Sequence, residues 1–276
     1  MSELLTIVYE VMSPIFLIIG LAALAGRILN PDPRPLSTVI VYLMMPALVF
    51  RGIAFAPLSG AEIGGIAGVV LAVSVLMAII GMAISRFFNF SRQLESAFLV
   101  SVILMNAANY GTPINVFAYG DTPDAATLTE AYALFYYAMS SLFGLILGIY
   151  FASRGKASPR QAFMNVLKVP VTYAAIAGLL FNFIAAGNDA LEMPLIFSRA
   201  ITVLGDGAIP GMLVLLGLQL VRVELKSAMM LKPMLLAVAM RLIIAPLIAV
   251  PVALLLNLSG LSLVVAITQS AMPTAV

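Results

Sequence analysis

The sequence predicts an all-α integral membrane protein, and three observations support this prediction. Of the 276 residues, 63% are hydrophobic and only 9% are charged, whereas soluble domains carry about a quarter charged residues. The apolar residues form runs long enough to cross a bilayer, whose core needs about 20 residues of helix. Basic and acidic residues also alternate between successive loops. A chain with so few charges cannot cover a surface that faces water.

Nine apolar runs follow one another along the chain, and we call them the first to the ninth span. They lie at residues 5–26, 37–54, 63–86, 96–119, 127–152, 165–186, 195–221, 233–258 and 262–276. The N-terminal run has neither a basic region before it nor a small-residue cleavage site after it. We therefore predict a retained first span and not a signal peptide.

The charges between the spans predict how the chain is oriented. One set of loops is basic, with Arg27, Arg34, Arg86, Arg92, Arg154, Lys156, Arg160, Lys168, Arg222, Lys226 and Lys232. The other set is acidic, with Glu62, Asp121, Asp124, Glu130, Asp189 and Glu192. Loops rich in Lys and Arg stay in the cytoplasm. The protein is therefore predicted to lie in the cell membrane with its N-terminus outside.

The composition also argues against several classes of function. The chain contains no Cys and no His, which removes disulfides, thiol nucleophiles, Cys/His metal sites and a Ser-His-Asp triad. The basic residues form short clusters between apolar runs, so we expect no binding of nucleic acid. We predict neither an enzyme nor a cofactor.

Two pairs of prolines recur at matching places in the two halves of the chain. Pro46 in the second span is matched by Pro210 in the seventh, and Pro113 in the fourth by Pro273 in the ninth. The matching prolines suggest that the first five spans are repeated by a second set of five. Because each set has an odd number of spans, the second set is inverted in the membrane relative to the first. Interrupted segments at corresponding positions of two halves point to the binding site of a transporter.

The fourth span contains residues that break a helix. Pro113 lacks an N–H group and clashes with the carbonyl one turn back, and Gly111 tolerates unusual dihedral angles. We expect the two to open the helix near the middle of the membrane, where open backbone is found only inside protein or around a wet cavity. Asn106 and Asn109 supply amides just before this break. The N-terminal end of the half-helix after it suits a carboxylate.

The ninth span repeats this arrangement. Gln269, Ser270 and Thr274 surround Pro273, and two such breaks facing each other would form one crossing point. The alternative is a pair of kinked helices whose polar residues only hold neighbouring helices together.

Charged residues inside spans are costly and are functional candidates. Asp206 and Arg241 fall near the middle of the seventh and eighth spans, where they form a charge pair or act separately. Burial would fit Asp206 for a protonation role, and Arg241 would neutralise a substrate carboxylate. Glu10 and Arg51 are interpreted as an interfacial pair or as side chains that reach toward the membrane surface.

Four motifs resemble those of the auxin efflux carrier family, which includes PIN-type carriers and bacterial malate and malonate permease-like proteins. NAANYGTP fits the pattern Asn-x4-Gly-x-Pro, and VYLMMPALVFRGIA is similar to the second span of the family. AIPGMLVLLGLQL and QSAMPTAV are similar to its seventh and ninth spans. The motifs occur in the family's order and cover essentially the whole chain.

The resemblance implies the ten-helix fold of the bile-acid/sodium symporters, with broken fourth and ninth helices that cross. It implies scaffold helices at residues 1–60 and 156–226 and a transport domain at residues 61–155 and 227–276. It also implies a homodimer through the second and seventh helices. The family's ninth helix continues and a tenth follows, whereas this sequence ends at Val276, so we expect the tenth helix to be missing.

The sequence therefore predicts a secondary transporter of small organic anions, such as auxin-like, malate-type or malonate-type carboxylates, with an elevator mechanism. The candidate substrate-binding residues are Asn106, Asn109, Tyr110, Gly111, Pro113, Gln269, Ser270, Pro273 and Thr274. Coupling to H⁺, coupling to Na⁺ and uniport remain alternatives at this point. A non-transporting receptor or assembly subunit is the second candidate function, and a membrane enzyme is the third.

Overall fold

A computed structural model describes residues 7–152, 164, 169–187, 192–222 and 231–274. These residues form an all-α protein with long apolar helices, which confirms the predicted fold class. The predicted basic loop residues Arg154, Lys156, Arg160, Lys168 and Lys226 and the acidic residue Asp189 lie outside the described residues.

All nine predicted spans can be followed in the described part of the chain. Six helices are long and apolar enough to cross a membrane, namely Val8–Leu29, Pro33–Ala54, Gly60–Phe87, Pro123–Gly148, Leu195–Leu220 and Leu231–Leu255. The sixth and ninth spans are the shorter apolar helices Pro170–Ala186 and Gly260–Ser270. The fourth span consists of two pieces, Arg92–Ile103 and Thr112–Tyr119, with an interruption between them.

Polar caps fix where several helices begin, and this explains why they start earlier than their apolar runs. Ser59 and Glu62 form a reciprocal capping box at the start of the third span, with Ser59 N donating to Glu62 Oε2 at 3.0 Å. Asp32 caps the second span, and Ser91 caps the first piece of the fourth. Such caps satisfy N–H groups that lack partners within the helix.

Four prolines inside spans are each preceded by one widened helical turn of the π type. These turns are Ile7–Met12 before Pro14, Ile40–Met44 before Pro46, Ala107–Gly111 before Pro113, and Met240–Ile244 before Pro246. A proline ring clashes with the carbonyl four residues earlier and leaves it without a donor. A wider turn relieves this clash, so the helix passes through the proline without ending.

The chain divides into two compact units. The first takes in Met1–Leu58, Ala108–Leu134 and Pro170–Leu225, and the second takes in Ser59–Ala107, Phe135–Val169 and Lys226–Val276. Close helix packing builds the first unit, where Gly217 in the seventh span lies against the backbone of the first span: a Cβ added there would come within 2.4 Å of Ile19 O. The second unit contains both interrupted helix ends that are described next.

Candidate functional site: the junction of two interrupted helices

The fourth and ninth spans stop being helical at places that meet inside the second unit. The first piece of the fourth span ends at Ile103, and Leu104 is extended, with φ −81° and ψ 116°. The ninth span ends at Ser270. We call residues 104–106 and 271–274 together the junction.

The two extended segments pair with each other like strands of a sheet. Met105 and Thr274 form an antiparallel bridge, and Asn106 N–H donates to Pro273 O at 2.8 Å. The Thr274 hydroxyl donates to Ser101 O at 3.0 Å. The open end of the ninth span thus bonds to the open segment of the fourth span and to the last turn of the helix before it, and irregular backbone at membrane depth needs such partners within the protein.

Arg241 in the eighth span completes the hydrogen bonding of the junction. Its guanidinium donates to Met272 O at 3.0 Å, to Ser270 O at 2.9 Å and to Val102 O at 3.3 Å. Only 1% of the Arg241 surface is exposed. The last carbonyls of a helix have no partner within that helix, and Arg241 supplies partners to the ends of two helices at once.

The break in the fourth span lies at residues 104–106, which corrects the predicted position. We expected Gly111 and Pro113 to open the helix. Gly111 instead has helical dihedral angles, with φ −66° and ψ −46°, and Pro113 lies in the first turn of Thr112–Tyr119. The widened turn Ala107–Gly111 accommodates the proline, so the chain opens one turn earlier, opposite Pro273.

The predicted substrate-binding residues therefore fall into two groups. Asn106, Ser270, Pro273 and Thr274 come together at the junction, and Gln269 lies fully buried in the last turn of the ninth span. Asn109, Tyr110, Gly111 and Pro113 belong to the first unit. There Tyr110 packs against a buried apolar cluster of Ile15, Ile19 and Leu213.

A cavity of about 410 Å³ runs along the junction. Ser101, Pro273 and Thr274 line it on the junction side, and apolar side chains such as Phe98, Met234 and Val238 line the rest. Sites for small organic molecules usually have volumes of about 300–1,000 Å³ and mostly apolar walls with a few polar groups. The cavity therefore has the size and lining of a small-molecule site.

Asp206 and Arg51 have partners that the sequence did not predict. Arg51 pairs with Glu130 at 2.9 Å and also with Asp206, all within the first unit. The suggested pairs of Asp206 with Arg241 and of Glu10 with Arg51 are therefore wrong. The side chain of Asp206 is also 63% exposed, so the burial on which its protonation role rested is not found.

Two asparagines in the first unit, one buried and one partly buried, escaped the sequence analysis. Asn115 is fully buried and donates to Gly111 O at 2.8 Å, while its Oδ1 has no hydrogen-bond partner. Asn182 donates to the carbonyls of Ile53, Ala54 and Ala56, at 3.1, 3.3 and 2.7 Å, and so caps the end of the second span. The sequence feature that could have identified each of them is a single amide side chain within an otherwise apolar helix.

The fold and the junction define the class of protein, a multi-pass membrane protein with interrupted helices. The model of the membrane transport protein family matches residues 7–158 and 157–276. The chain belongs to this family, which includes auxin efflux carriers and PIN-like permeases, and the match confirms the resemblance seen in the motifs. No curated protein matches the chain. The protein is a membrane transporter.

Proposed function

We propose that the protein is a secondary transporter of small organic anions and that it binds the carboxylate of its substrate at the junction. The observation that carries this proposal is the meeting of two interrupted helices through Asn106 N–H and Pro273 O, 2.8 Å apart. Discontinuous helices of this kind form the substrate sites of many transporter folds.

The charges around the junction favour an anion over a cation. The helical turn that follows the break begins at Ala107, and the N-terminal end of a helix carries about half a positive charge. Asn106 adds a buried amide at the break, and Arg241 offsets the partial negative charge of the two helix ends whose carbonyls it binds. Asn109, Tyr110, Gly111 and Pro113 remain proposed members of the site through the family motif.

The cavity along the junction supports a small substrate. A volume of about 410 Å³ suits a carboxylate the size of malate, malonate or a small aromatic acid. Its apolar walls would hold the carbon skeleton, while the polar edge at Thr274 and Pro273 lies toward the carboxylate.

We further propose an elevator type of alternating access in the cell membrane, with the N-terminus outside. In this mechanism the transport domain that the resemblance implies, residues 61–155 and 227–276, carries the substrate across. The division of the chain into two units, one of which holds both interrupted ends and Arg241, supports this. A homodimer through the second and seventh spans stays a proposal from the family resemblance.

Uptake by purified protein in sealed vesicles tests the proposal. Labelled dicarboxylates and aromatic monocarboxylates are offered to the wild type, to Asn106→Ala and to Thr38→Ala. Thr38 is an exposed residue that bonds only within its own helix, to Arg34 O, so its variant is the matched control. We expect saturable uptake of one class of carboxylate, lowered at least about tenfold by Asn106→Ala because a hydrogen bond to a charged group is lost.

Two results would contradict the proposal. Uptake of none of the carboxylates, with the vesicles shown to contain folded protein, would rule out organic-anion transport. Equal uptake by Asn106→Ala and Thr38→Ala would place the site elsewhere. Binding without any flux would favour the alternative of a receptor.

A further inference from the structure

A second cavity, of about 600 Å³, lies in the first unit at the end of the second span. The residues from Ala54 to Leu58, at and just after the end of that helix, form one side of it. The end of the sixth span and the residues around the start of the seventh form the other sides. The junction belongs to the second unit, so the proposed carboxylate site gives this cavity no role.

Two aromatic rings form a corner of the cavity. Phe55 and Phe181 both line it, with their ring centroids 5.5 Å apart and their ring planes at 71° to each other. Phe50 supports both rings edge-on, at 6.4 and 6.2 Å, while Phe55 remains 46% exposed. The face of an aromatic ring attracts cations, and cages of aromatic side chains recognise organic ammonium groups.

The cavity also carries a negative charge that its lining does not cancel. The described residues that line it include one charged side chain, the exposed Glu192, and neither Lys nor Arg. The ion pairs formed by the described residues do not include Glu192. Arg51 lies in the last turn of the second span, but its charge is matched by Glu130 and Asp206. The cavity should therefore attract a cation and repel an anion.

Hydrogen-bond acceptors add to this preference. The C-terminal end of a helix carries about half a negative charge, and the second span ends at Ala54 beside the cavity. Asn182, which also lines the cavity, donates its amide nitrogen to the carbonyls of Ile53, Ala54 and Ala56. With that nitrogen engaged, the polar atom that Asn182 can offer to a ligand is Oδ1, an acceptor. A fitting ligand therefore brings hydrogen-bond donors together with its positive charge.

We propose that this cavity binds an organic ammonium ion, with the ammonium group at Glu192 and the hydrocarbon part against Phe55 and Phe181. The aromatic rings and the alanines of the lining favour an organic cation over a metal ion. This site is separate from the proposed carboxylate site and does not rest on it. The same ammonium chemistry occurs in soluble amines and in the head group of phosphatidylethanolamine.

Thermal unfolding of the purified full chain in detergent tests the site. Benzylammonium chloride is compared with benzyl alcohol, which has the same ring and no charge, at equal millimolar concentration and equal ionic strength. We expect benzylammonium to raise the unfolding temperature of the wild type by about 2 °C more than benzyl alcohol does.

Three variants locate the binding. Glu192→Gln should lose the difference between the two probes, because it removes the carboxylate and alters only an exposed side chain. Asp121→Asn is the matched control and should keep the difference, since Asp121 is an exposed acidic residue outside the lining. Phe55→Leu retains apolar bulk but not the ring, and should weaken the binding of benzylammonium at least about threefold.

Two results would overturn the proposal. The first is an equal effect of both probes on the wild type, which does not depend on any variant folding. The second is an ammonium-specific effect that Glu192→Gln keeps in full, because the amine would then bind elsewhere. Since no carboxylate is present, a failed uptake experiment and a failed amine experiment refute different proposals.

Nanodiscs of two compositions identify the source of the ammonium group. One contains phosphatidylethanolamine, and the other contains digalactosyl diacylglycerol, a neutral lipid without an ammonium group. If the site holds the lipid head group, benzylammonium should stabilise the wild type only in the second nanodisc, because the lipid fills the cavity in the first. If the site takes soluble amines, the effect should be the same in both. Absence of the effect from both nanodiscs would overturn the proposal.

Discussion

Arg51 binds two carboxylates that differ in their surroundings. The side chain of Glu130 is 19% exposed, whereas that of Asp206 is 63% exposed. Exposed ion pairs contribute about 0–1 kcal/mol, since water screens the charges and the side chains lose freedom. A more buried charged hydrogen bond contributes more, about 1.5–3 kcal/mol. Glu130 should therefore be the partner that matters for stability.

We predict that Glu130→Gln lowers the unfolding temperature of the purified protein clearly more than Asp206→Asn does. The first change leaves Arg51 with only its exposed partner, and the second leaves the more buried pair intact. The two variants are controls for each other, because each replaces a carboxylate by an amide of the same size. A larger loss of stability from Asp206→Asn would mean that Asp206 is shielded in the membrane.

The partners of these charged residues could not be predicted from the sequence. The sequence showed that Asp206 and Arg241 lie inside apolar spans, and depth alone suggested that they pair. Their true partners come from other parts of the chain, 155 residues away for the Arg51–Asp206 pair. Arg241 bonds to main-chain oxygens, which every residue has, and no pattern of side chains could reveal them.

At the scale of the helices, the interruption of two spans was predicted but one of the two positions was wrong. Pro273 does mark the end of the ninth span, because the helix stops at Ser270 just before it. Pro113 does not, because a widened turn absorbs its steric clash. Pro14, Pro46 and Pro246 behave in the same way. Pro113 thus correctly indicated that the fourth span is interrupted. The position of the interruption is set by the backbone partner across the junction.

The pairing of the two interrupted helices leads to a cross-linking prediction. The hydrogen bond joins Asn106 and Pro273, the residues that flank the bridge, so Met105 and Thr274 face each other as a pair without mutual hydrogen bonds. Such pairs have Cα atoms about 4.5 Å apart, which is within the range of a disulfide. Met105→Cys combined with Thr274→Cys should lose both free thiols on mild oxidation.

Mass spectrometry of thiols labelled after oxidation measures this outcome. The chain has no cysteine of its own, so the label reports only on the two introduced residues. The single variants Met105→Cys and Thr274→Cys are the controls and should keep their thiols. If both thiols of the double variant remained free under conditions that oxidise exposed cysteines, the junction would not exist in the folded protein.

For the whole molecule, composition and the length of the apolar runs together were sufficient to predict the fold class. A chain that is 63% hydrophobic belongs in a membrane, and its apolar runs of about 20 residues have the length of membrane-spanning helices, which satisfy their backbone hydrogen bonds internally. The count and order of the spans followed from the lengths of the apolar runs, and the family match agrees with the motifs. How residues group into compact units was not accessible in the same way. The stretch Ala108–Leu134 groups with the first unit, while the transport domain at residues 61–155 and 227–276 stays a prediction from the resemblance.

The orientation in the membrane is set by charges in the loops and gives the last prediction. Residues between the fourth and fifth spans should face outward, and residues between the third and fourth spans should face the cytoplasm, because Arg86 and Arg92 flank the latter.

Asp121 and Gln93 are exposed positions in these two regions. In intact cells, a membrane-impermeant maleimide should label Asp121→Cys and should label Gln93→Cys only after the membrane is opened. Neither substitution removes a basic residue, and acidic residues contribute little to orientation, so the variants should report the native topology. Labelling in the opposite pattern would place the N-terminus in the cytoplasm. The same elevator movement of the protein would then carry its substrate across the membrane in the opposite direction.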